Sequence, residues 1–288
     1  MHVEVNGTRL WFDVDGASLV VDDSAMRERP TVVLLHGGPG SFDHSYFKPD
    51  FARLAETAQV IYLDLRGHGR SNWGDPAAWS FESCADDVRA FCDALAVERP
   101  IVYGHSLGGF VAMLYAARHP GHPGALVLQS TFARFDLDRI VEDFRLRGGD
   151  EVAEIARRSY DGDSASVSDE AWERCWHLFG PWVPGVREKA RMIVNEKLNA
   201  HGLDLMRRFD AVDQLALVDC PTLVCVGELD PITPVAAAHE IVGALPDGIA
   251  RLEVIGGAGH FPWRDAPDPY WRLVSDFVGS AAGAREPH

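Results

Sequence analysis

Apolar and polar positions follow two periods along this chain, and each period predicts a different element. Short β-branched runs predict buried strands in TVVLLHGGPG, QVIYLDLRGHGRS, PIVYG, GALVLQS, CPTLVCVGELD and ARLEVIGG. Between them, apolar residues recur every three or four positions and predict helices, as in SFESCADDVRAFCDAL, which Ser80 is placed to cap. Because strands and helices alternate, we expect a mostly parallel sheet with helices on both faces.

Two parts of the chain depart from this rhythm. The first 15 residues alternate around an Asn-Gly pair, which predicts a β-hairpin. The middle reads as amphipathic helices without a strand pattern. We therefore expect one α/β core, formed by residues 1–130 and 209–288, with residues 131–208 inserted as a helical cap.

A serine lies between glycines in GHSLGG (104–109), between a predicted strand and a predicted small-residue helix. A sharp strand-to-helix turn would expose its hydroxyl but force it into a strained backbone region. Gly104 and Gly108 remove side chains that such a turn would crowd, and the N–H of Leu107 would point to where negative charge develops. Ser106 is therefore the candidate nucleophile, and Leu107 is a candidate oxyanion donor.

The base and its orienting acid are expected after later strands. Asp230 ends TLVCVGELD and His260 ends LEVIGGAGH, so both follow carboxyl ends of strands, at the edge where Ser106 emerges. The order serine, aspartate, histidine is the one that an α/β-hydrolase triad requires. HGGPG (36–40) follows an earlier strand, and we expect the N–H of Gly38 to be the second oxyanion donor.

Neighbouring polar residues have alternative interpretations. Glu228 is the rival of Asp230, although strand alternation points it to the opposite face. His36 is interpreted as a brace of the glycine loop rather than a second base, and His105 as pointing away from Ser106. Structural roles in a charged turn are expected for Asp64, Arg66 and His68, and a metal site is disfavoured for His119 and His122.

These motifs together resemble the α/β-hydrolase superfamily of the abhydrolase-1 type over essentially the full chain. The resemblance is carried by HGGPG, DLRGHGRS, GHSLGG, GELDPITP and GAGHFP. HGGPG and GELDPITP are similar to the proline-iminopeptidase-like branch, which includes aminopeptidases, amidases, esterases and lactonases. The resemblance implies an eight-stranded α/β-hydrolase sheet with a helical cap, a serine hydrolase, no cofactor and no metal.

The sequence also departs from the aminopeptidases of that branch, which typically carry GGSWG and DQRG where this chain has GHSLGG and DLRG. Many of those relatives hold the substrate amino group with carboxylates, one often directly after the triad aspartate, where Pro231 stands here; Glu228 and Glu196 are the possible substitutes. We therefore expect cleavage of an ester, lactone or amide bond in a small, partly apolar substrate. Proline aminopeptidase activity is the alternative, and non-catalytic small-molecule binding is an alternative of another class.

Aromatic residues of the cap are candidates for lining a substrate pocket. Trp172, Trp176 and Phe179 lie at helical spacing, Trp182 follows them, and Trp263 lies three residues after the candidate base. The competing interpretation is packing of the cap against the core.

Composition limits the partners. The net charge of −16, from 43 acidic and 27 basic residues, argues against nucleic acid. Five cysteines without a CxxC pair predict neither a disulfide framework nor a zinc knuckle. The first residues do not resemble a signal peptide, and no apolar stretch is long enough to span a membrane. We expect a cytoplasmic protein that acts on a small molecule; the sequence does not determine its oligomeric state.

Overall fold

A computed structural model describes residues 1–23, 25–48, 50–75, 78–162, 167–183 and 185–283. For Glu170, Trp172, Val186, Ala282 and Gly283 it describes the backbone alone. The strands are β1 His2–Val5, β2 Thr8–Asp15, β3 Leu19–Asp22, β4 Ala25–Glu28, β5 Thr31–Leu35, β6 Gln59–Asp64, β7 Ile101–His105, β8 Ala125–Gln129, β9 Thr222–Gly227 and β10 Ala250–Ile255. The helices are α1 Phe81–Ala94, α2 Leu107–Arg118, α3 Leu137–Tyr160, α4 Asp169–Trp176, α5 Val186–Lys189, α6 Glu196–Arg207, α7 Val235–Ala244, α8 Pro262–Asp265 and α9 Pro267–Gly283.

Eight strands form one sheet in the order β1-β2-β6-β5-β7-β8-β9-β10. The first two strands form the predicted hairpin and run antiparallel, whereas β6, β5, β7, β8, β9 and β10 pair in parallel. The predicted eight-stranded, mostly parallel sheet is therefore confirmed. In a parallel sheet the carboxyl ends of the strands share one edge, so the loops after β5, β7, β9 and β10 meet there.

The central strands are apolar on both faces because helices cover both. All five residues of β5 are buried. Its Val33 and Leu35 pack into a core shared with α1 and α2, while Val32 and Leu34 pack into a second core shared with α9. This explains why the parallel strands read as continuous apolar runs instead of alternating. The predicted cap of α1 is also confirmed, since Ser80 accepts a hydrogen bond from the N–H of Ser83.

A second, two-stranded sheet was missed by the sequence patterns. It consists of β3 and β4, which lie between β2 and β5 in the sequence and pair antiparallel with each other. Leu19, Val21 and Met26 are exposed on it. Because neither face of this hairpin is buried, its residues lack the period-two alternation by which a strand is recognised.

Residues 131–208 carry α3, α4, α5 and α6. The two ends of this segment lie side by side: the N–H of Phe135 donates to the carbonyl of Phe209 at 3.0 Å, and the N–H of Ala211 donates to the carbonyl of Ala133 at 2.8 Å. The chain therefore leaves the sheet domain and returns to it at one place, and we retain residues 131–208 as the proposed cap. Within the described ranges, none of the helices combines the length and apolar character needed to cross a bilayer.

Candidate active site

Ser106 occupies the sharp turn between β7 and α2. Its backbone angles, φ of +53° and ψ of −121°, lie in a region that residues other than glycine rarely adopt. The residue is half-exposed. A Cβ on Gly108 would lie 2.1 Å from the carbonyl oxygen of Leu35, and one on Gly104 would lie 2.3 Å from that of Gly108. The turn therefore requires glycine at both positions, as the sequence predicts.

Asp230 and His260 meet at the same sheet edge, in the loops that follow β9 and β10. The Nδ1 of His260 lies 2.7 Å from an Asp230 carboxylate oxygen. His260 is 5 % exposed and lines a cavity together with Ser106, whereas Asp230 is fully buried beneath it. The structure thus brings the three predicted residues together, with the imidazole between the carboxylate and the cavity that Ser106 borders.

The Asp230 carboxylate is held by its own turn as well as by His260. One oxygen accepts the N–H groups of Ile232 at 3.0 Å and Thr233 at 3.1 Å, and the other accepts the Thr233 hydroxyl at 2.5 Å. Burial acts to raise the pKa of Asp230, but the charge and hydrogen bond of His260, followed by the bonds from Thr233, lower it to about 2. The group is therefore an anion that accepts hydrogen bonds at neutral pH.

The glycine loop (residues 36–40) lies directly against the serine turn. A Cβ on Gly37 would lie 3.4 Å from the Cβ of Ser106. The N–H of Gly37 donates to the Tyr46 hydroxyl at 2.8 Å, and the N–H of Gly40 donates to Nε2 of His68 at 3.1 Å. Pro39 carries no N–H. The N–H of Gly38 is therefore the remaining candidate donor of the loop's glycines, as the sequence analysis predicts.

Leu107, the other predicted donor, is the first residue of α2. The first N–H groups of a helix have no partner within the helix and carry its positive dipole end. Gly38 and Leu107 both line the cavity beside Ser106. Both backbone N–H groups are therefore candidates to bind an oxygen atom in this cavity.

Three buried histidines brace these loops in the neutral state. His36 donates from Nδ1 to the carbonyl of Gly37 at 2.7 Å and accepts the N–H of Leu65 at Nε2. Burial lowers the pKa of His36, and burial together with the charge of His36 lowers the pKa of His68 to about 3. His36 and His68 therefore hold the loop by hydrogen bonds, which agrees with the interpretation of His36 as a brace.

His105 links the serine turn to the other two loops. Its Nδ1 lies 2.8 Å from the Tyr46 hydroxyl, and its Nε2 lies 2.9 Å from the backbone carbonyl of His260. The carbonyl can only accept, so Nε2 carries the proton and Tyr46 donates to Nδ1. Burial, followed by the charge of His260, lowers the pKa of His105 well below its ordinary value. Sequence reasoning missed Tyr46, because no pattern marks a tyrosine in a loop as a partner of residues far along the chain.

The cavity over Ser106 has a volume of about 510 Å³ and is mostly apolar. Its buried end is formed by side chains from the core and from α6: Phe110, Phe132, Met206 and Ile232. The described lining residues include one carboxylate, Asp169, and one ammonium group, Lys189, and both are exposed. The cavity is therefore apolar at its buried end and carries charged groups near solvent.

Some of the aromatic residues predicted to line a substrate pocket border this cavity and others do not. Trp176 and Phe179 line the cavity, while the side chain of Trp172 lies outside the described residues. Trp182 and Trp263 do not line it, and this part of the prediction is corrected. Trp263 is 2 % exposed and packs edge-on against His105, with ring centroids 4.9 Å apart. Trp182 packs on Phe261 and under Arg264. Trp263 was predicted from its closeness to His260 in the sequence, and such closeness does not determine the direction in which a side chain points.

The two carboxylates considered for binding a substrate amino group lie elsewhere. Glu228 is exposed and accepts the N–H of Gly257 at 2.9 Å. Glu196 is exposed at the start of α6. Neither belongs to the cavity lining.

One buried cluster, Asp43, His44 and Asp64, has the spacing of metal ligands. Its donor atoms are already occupied: Asp43 accepts the N–H groups of Ser45 and Ile193, and Asp64 accepts two bonds from His44 and one from Arg70. His119 and His122 bond to Asp86 and Tyr115 respectively, so they do not share a ligand position. These residues are structural braces, as expected for Asp64.

Comparison with known proteins gives the chain a family. The model of the α/β hydrolase fold matches residues 30–267. The pimeloyl-[acyl-carrier protein] methyl ester esterase of Chromobacterium violaceum is 30 % identical over 264 residues, which cover 88 % of this chain and 96 % of the esterase. The proline iminopeptidase of Lactobacillus helveticus is 26 % identical over 271 residues, which cover 87 % of this chain and 90 % of that protein.

A solved structure supports the fold over the full length. The proline iminopeptidase of Mycobacterium smegmatis superposes with a TM-score of 0.77 at 21 % identity and covers 99 % of both chains. At that identity the likeness concerns the fold alone. The sequence relatives thus include an esterase and a peptidase, so similarity does not select the bond that is cleaved.

Proposed function

The chain belongs to the α/β-hydrolase family of hydrolytic enzymes, and we propose that it is a serine hydrolase acting through an acyl-enzyme. Its substrate is a small, partly apolar ester, lactone or amide. The observation that carries the proposal is the hydrogen-bonded Asp230–His260 pair beside a strained, half-exposed Ser106 on one cavity. Serine attacks only when a neighbouring base removes its proton, and this arrangement supplies the base.

In the first half-reaction His260 takes the Ser106 proton at Nε2 while the serine oxygen attacks the substrate carbonyl. Asp230, bonded to Nδ1, holds the imidazole tautomer and stabilises the imidazolium that forms. The N–H groups of Gly38 and Leu107 bind the developing oxyanion. His260 then gives its proton to the leaving oxygen or nitrogen, and the carbon–leaving-group bond breaks.

In the second half-reaction water takes the place of the leaving group. His260 removes a proton from the water, which attacks the acyl-enzyme carbonyl, and the same two N–H groups bind the second oxyanion. His260 then protonates the Ser106 oxygen, and the product acid leaves. Each proton that His260 accepts is returned within the same half-reaction.

The cavity favours neutral esters and lactones over peptides with a free amino terminus. An N-terminal ammonium group placed near Ser106 would need a buried anion to replace its hydration. The one carboxylate of the described lining is Asp169, which is exposed at the mouth, whereas the buried end consists of apolar side chains. An acyl chain or an aromatic acyl group fits that end.

The test compares a short-chain aryl ester with a proline arylamide on the purified protein. We expect kcat/KM to be far larger for the ester, and the Ser106→Ala variant to fold but to lose activity on both. A large preference for the proline arylamide would make the protein an aminopeptidase. Tight binding of small apolar molecules without turnover of any panel ester would favour a non-catalytic binding protein.

A further inference from the structure

We propose that Asn195, in the cap, is a positioning residue for the oxyanion site of the core. The inference rests on the proposed function, because it takes the N–H of Gly38 as an oxyanion donor. It gives residues 131–208 a role beyond covering the substrate: one end of the cap would fix the geometry of the glycine loop.

Asn195 closes a ring of hydrogen bonds around that loop. Its backbone N–H donates to the carbonyl of Gly40 at 2.9 Å, and its Nδ2 donates to the carbonyl of Gly67 at 2.8 Å. The next residue along the chain, His68, accepts the N–H of Gly40 at 3.1 Å. These hydrogen bonds therefore connect the glycine loop, the turn at residues 67–68 and the cap, and Asn195 is the cap residue that takes part in them.

The contact is direct and buried. Asn195 is 1 % exposed. Gly40 has a φ of +64°, and a Cβ there would lie 2.5 Å from the carbonyl oxygen of Asn195. Two further bonds run parallel to this contact: the N–H of Ile193 donates to Asp43 at 2.9 Å, and Nδ2 of Asn199 donates to the hydroxyl of Ser41 at 2.6 Å. The loop cannot shift without breaking buried hydrogen bonds.

Gly38 lies between the anchored points. A Cβ on Gly38 would lie 3.0 Å from Nε2 of His68, the atom that accepts the Gly40 N–H. Displacement of His68 or Gly40 therefore displaces Gly38 and its N–H. An oxyanion donor acts only at about 2.7–3.1 Å from the oxygen. A small displacement of the donor therefore reduces the stabilisation of the transition state more than it reduces the affinity for the substrate.

Helix capping alone does not explain asparagine at this position. The Oδ1 of Asn195 accepts the N–H of Leu198 at 3.2 Å and caps α6. Aspartate caps helices as well as asparagine does. Only asparagine also supplies the N–H that Gly67 accepts, and it is this second bond that joins the helix cap to the site.

The decisive variant is Asn195→Asp, which keeps the capping oxygen and the side-chain size but removes the donor to Gly67. We expect kcat for the aryl ester to fall about 10- to 100-fold, with KM changed less than about twofold. The affinity for an arylboronic acid, which forms a tetrahedral adduct on serine, should fall by a similar factor. The affinity for the product acid should not change.

Asp136→Ala is the matched control, because it removes the side-chain cap of α3, at a site outside the cavity lining. It should lower the melting temperature while leaving kcat and the boronic-acid affinity at wild-type values. Asn195→Ser, which retains a capping hydroxyl, serves if Asn195→Asp does not fold. Wild-type kcat and boronic-acid affinity in the folded Asn195 variant would overturn the inference, as would an equal loss in Asp136→Ala. An unreactive wild-type protein would instead overturn the proposed function.

Discussion

The core edge and the cap end of the cavity are held by different interactions. At the core edge, directed hydrogen bonds fix the candidate catalytic residues and their loops: Asp230 accepts four, and His105 uses both ring nitrogens. At the cap end, the bond from Asn199 to Ser41 lies beside a wall of mostly apolar side chains such as Leu203 and Met206, which pack with the hydrophobic core without directed bonds.

This difference separates chemistry from selectivity. A hydrogen bond requires particular atoms at particular positions, so a change of one atom at the core edge should reduce the rate strongly. Apolar packing requires only volume and shape, so a change in the cap wall should alter which substrate fits and leave the chemical step intact.

The largest effect is expected for Asp230→Asn. An amide presents both a donor and an acceptor to Nδ1 of His260 and favours the wrong tautomer, so kcat should fall by about 10⁴-fold near pH 7. Glu228→Gln makes the same chemical change on an exposed carboxylate two residues earlier and should stay within about threefold of wild type. Steady-state rates on an aryl ester measure both. The reverse pattern would make Glu228 the orienting acid.

Tyr46→Phe should have the next largest effect. It leaves the N–H of Gly37 and Nδ1 of His105 unpaired in a buried site, which costs about 1–3 kcal/mol of unfolding free energy and loosens the glycine loop. We expect kcat to fall about tenfold, measured beside chemical denaturation. Tyr270→Phe removes a buried hydroxyl that bonds to Tyr103 at 2.6 Å, away from the cavity lining. Tyr270→Phe should lower the unfolding free energy by a similar amount without lowering kcat. Equal kcat values in the two variants would refute the inference that Tyr46 acts on the rate through the glycine loop.

A smaller effect is expected from the cap wall. Leu203→Trp fills part of the cavity, so the kcat/KM ratio of short to long acyl esters should rise about tenfold, while kcat for the shortest ester changes little. Leu146→Trp places the same ring on an exposed part of α3 and should leave the ratio unchanged. A loss of kcat for every ester in Leu203→Trp would mean that the cap wall also controls the chemical step.

The smallest difference is in the pH dependence of stability. His36, His68 and His105 have lowered pKa values in the folded state, so below pH 6.5 these three side chains bind more protons in the unfolded chain than in the folded one. The stability that these histidines contribute should therefore fall as the pH drops below 6.5. For His68 this loss should continue down to about pH 3. His68→Gln should make the melting temperature less sensitive to pH between 7 and 5. The same substitution at the exposed His239 should leave this pH sensitivity as it is in the wild type. An unchanged pH dependence of the melting temperature in His68→Gln would contradict the interpretation of His68 as a neutral histidine that braces the loop.

The core edge was predictable from sequence because its residues obey local rules. Buried parallel strands are apolar throughout, the turn at Ser106 requires glycines, and the residues after strands share one edge; together these rules bring Ser106, Asp230 and His260 to one place. The cap lining was predictable only in part. Helical spacing pointed to Trp176, which lines the cavity, whereas Trp263 was proposed from its chain distance to His260 and packs against His105 instead. Asn195 bonds to loops far away in the chain, and no local pattern records that.

The most direct test of Ser106 as the nucleophile is reaction with a fluorophosphonate, followed by intact-mass analysis and peptide mapping. We expect one adduct per chain, on the Ser106 hydroxyl, with loss of ester hydrolysis in proportion to labelling and no adduct on Ser106→Ala. Stoichiometric labelling of another residue, or ester hydrolysis at the wild-type rate in Ser106→Ala, would contradict it.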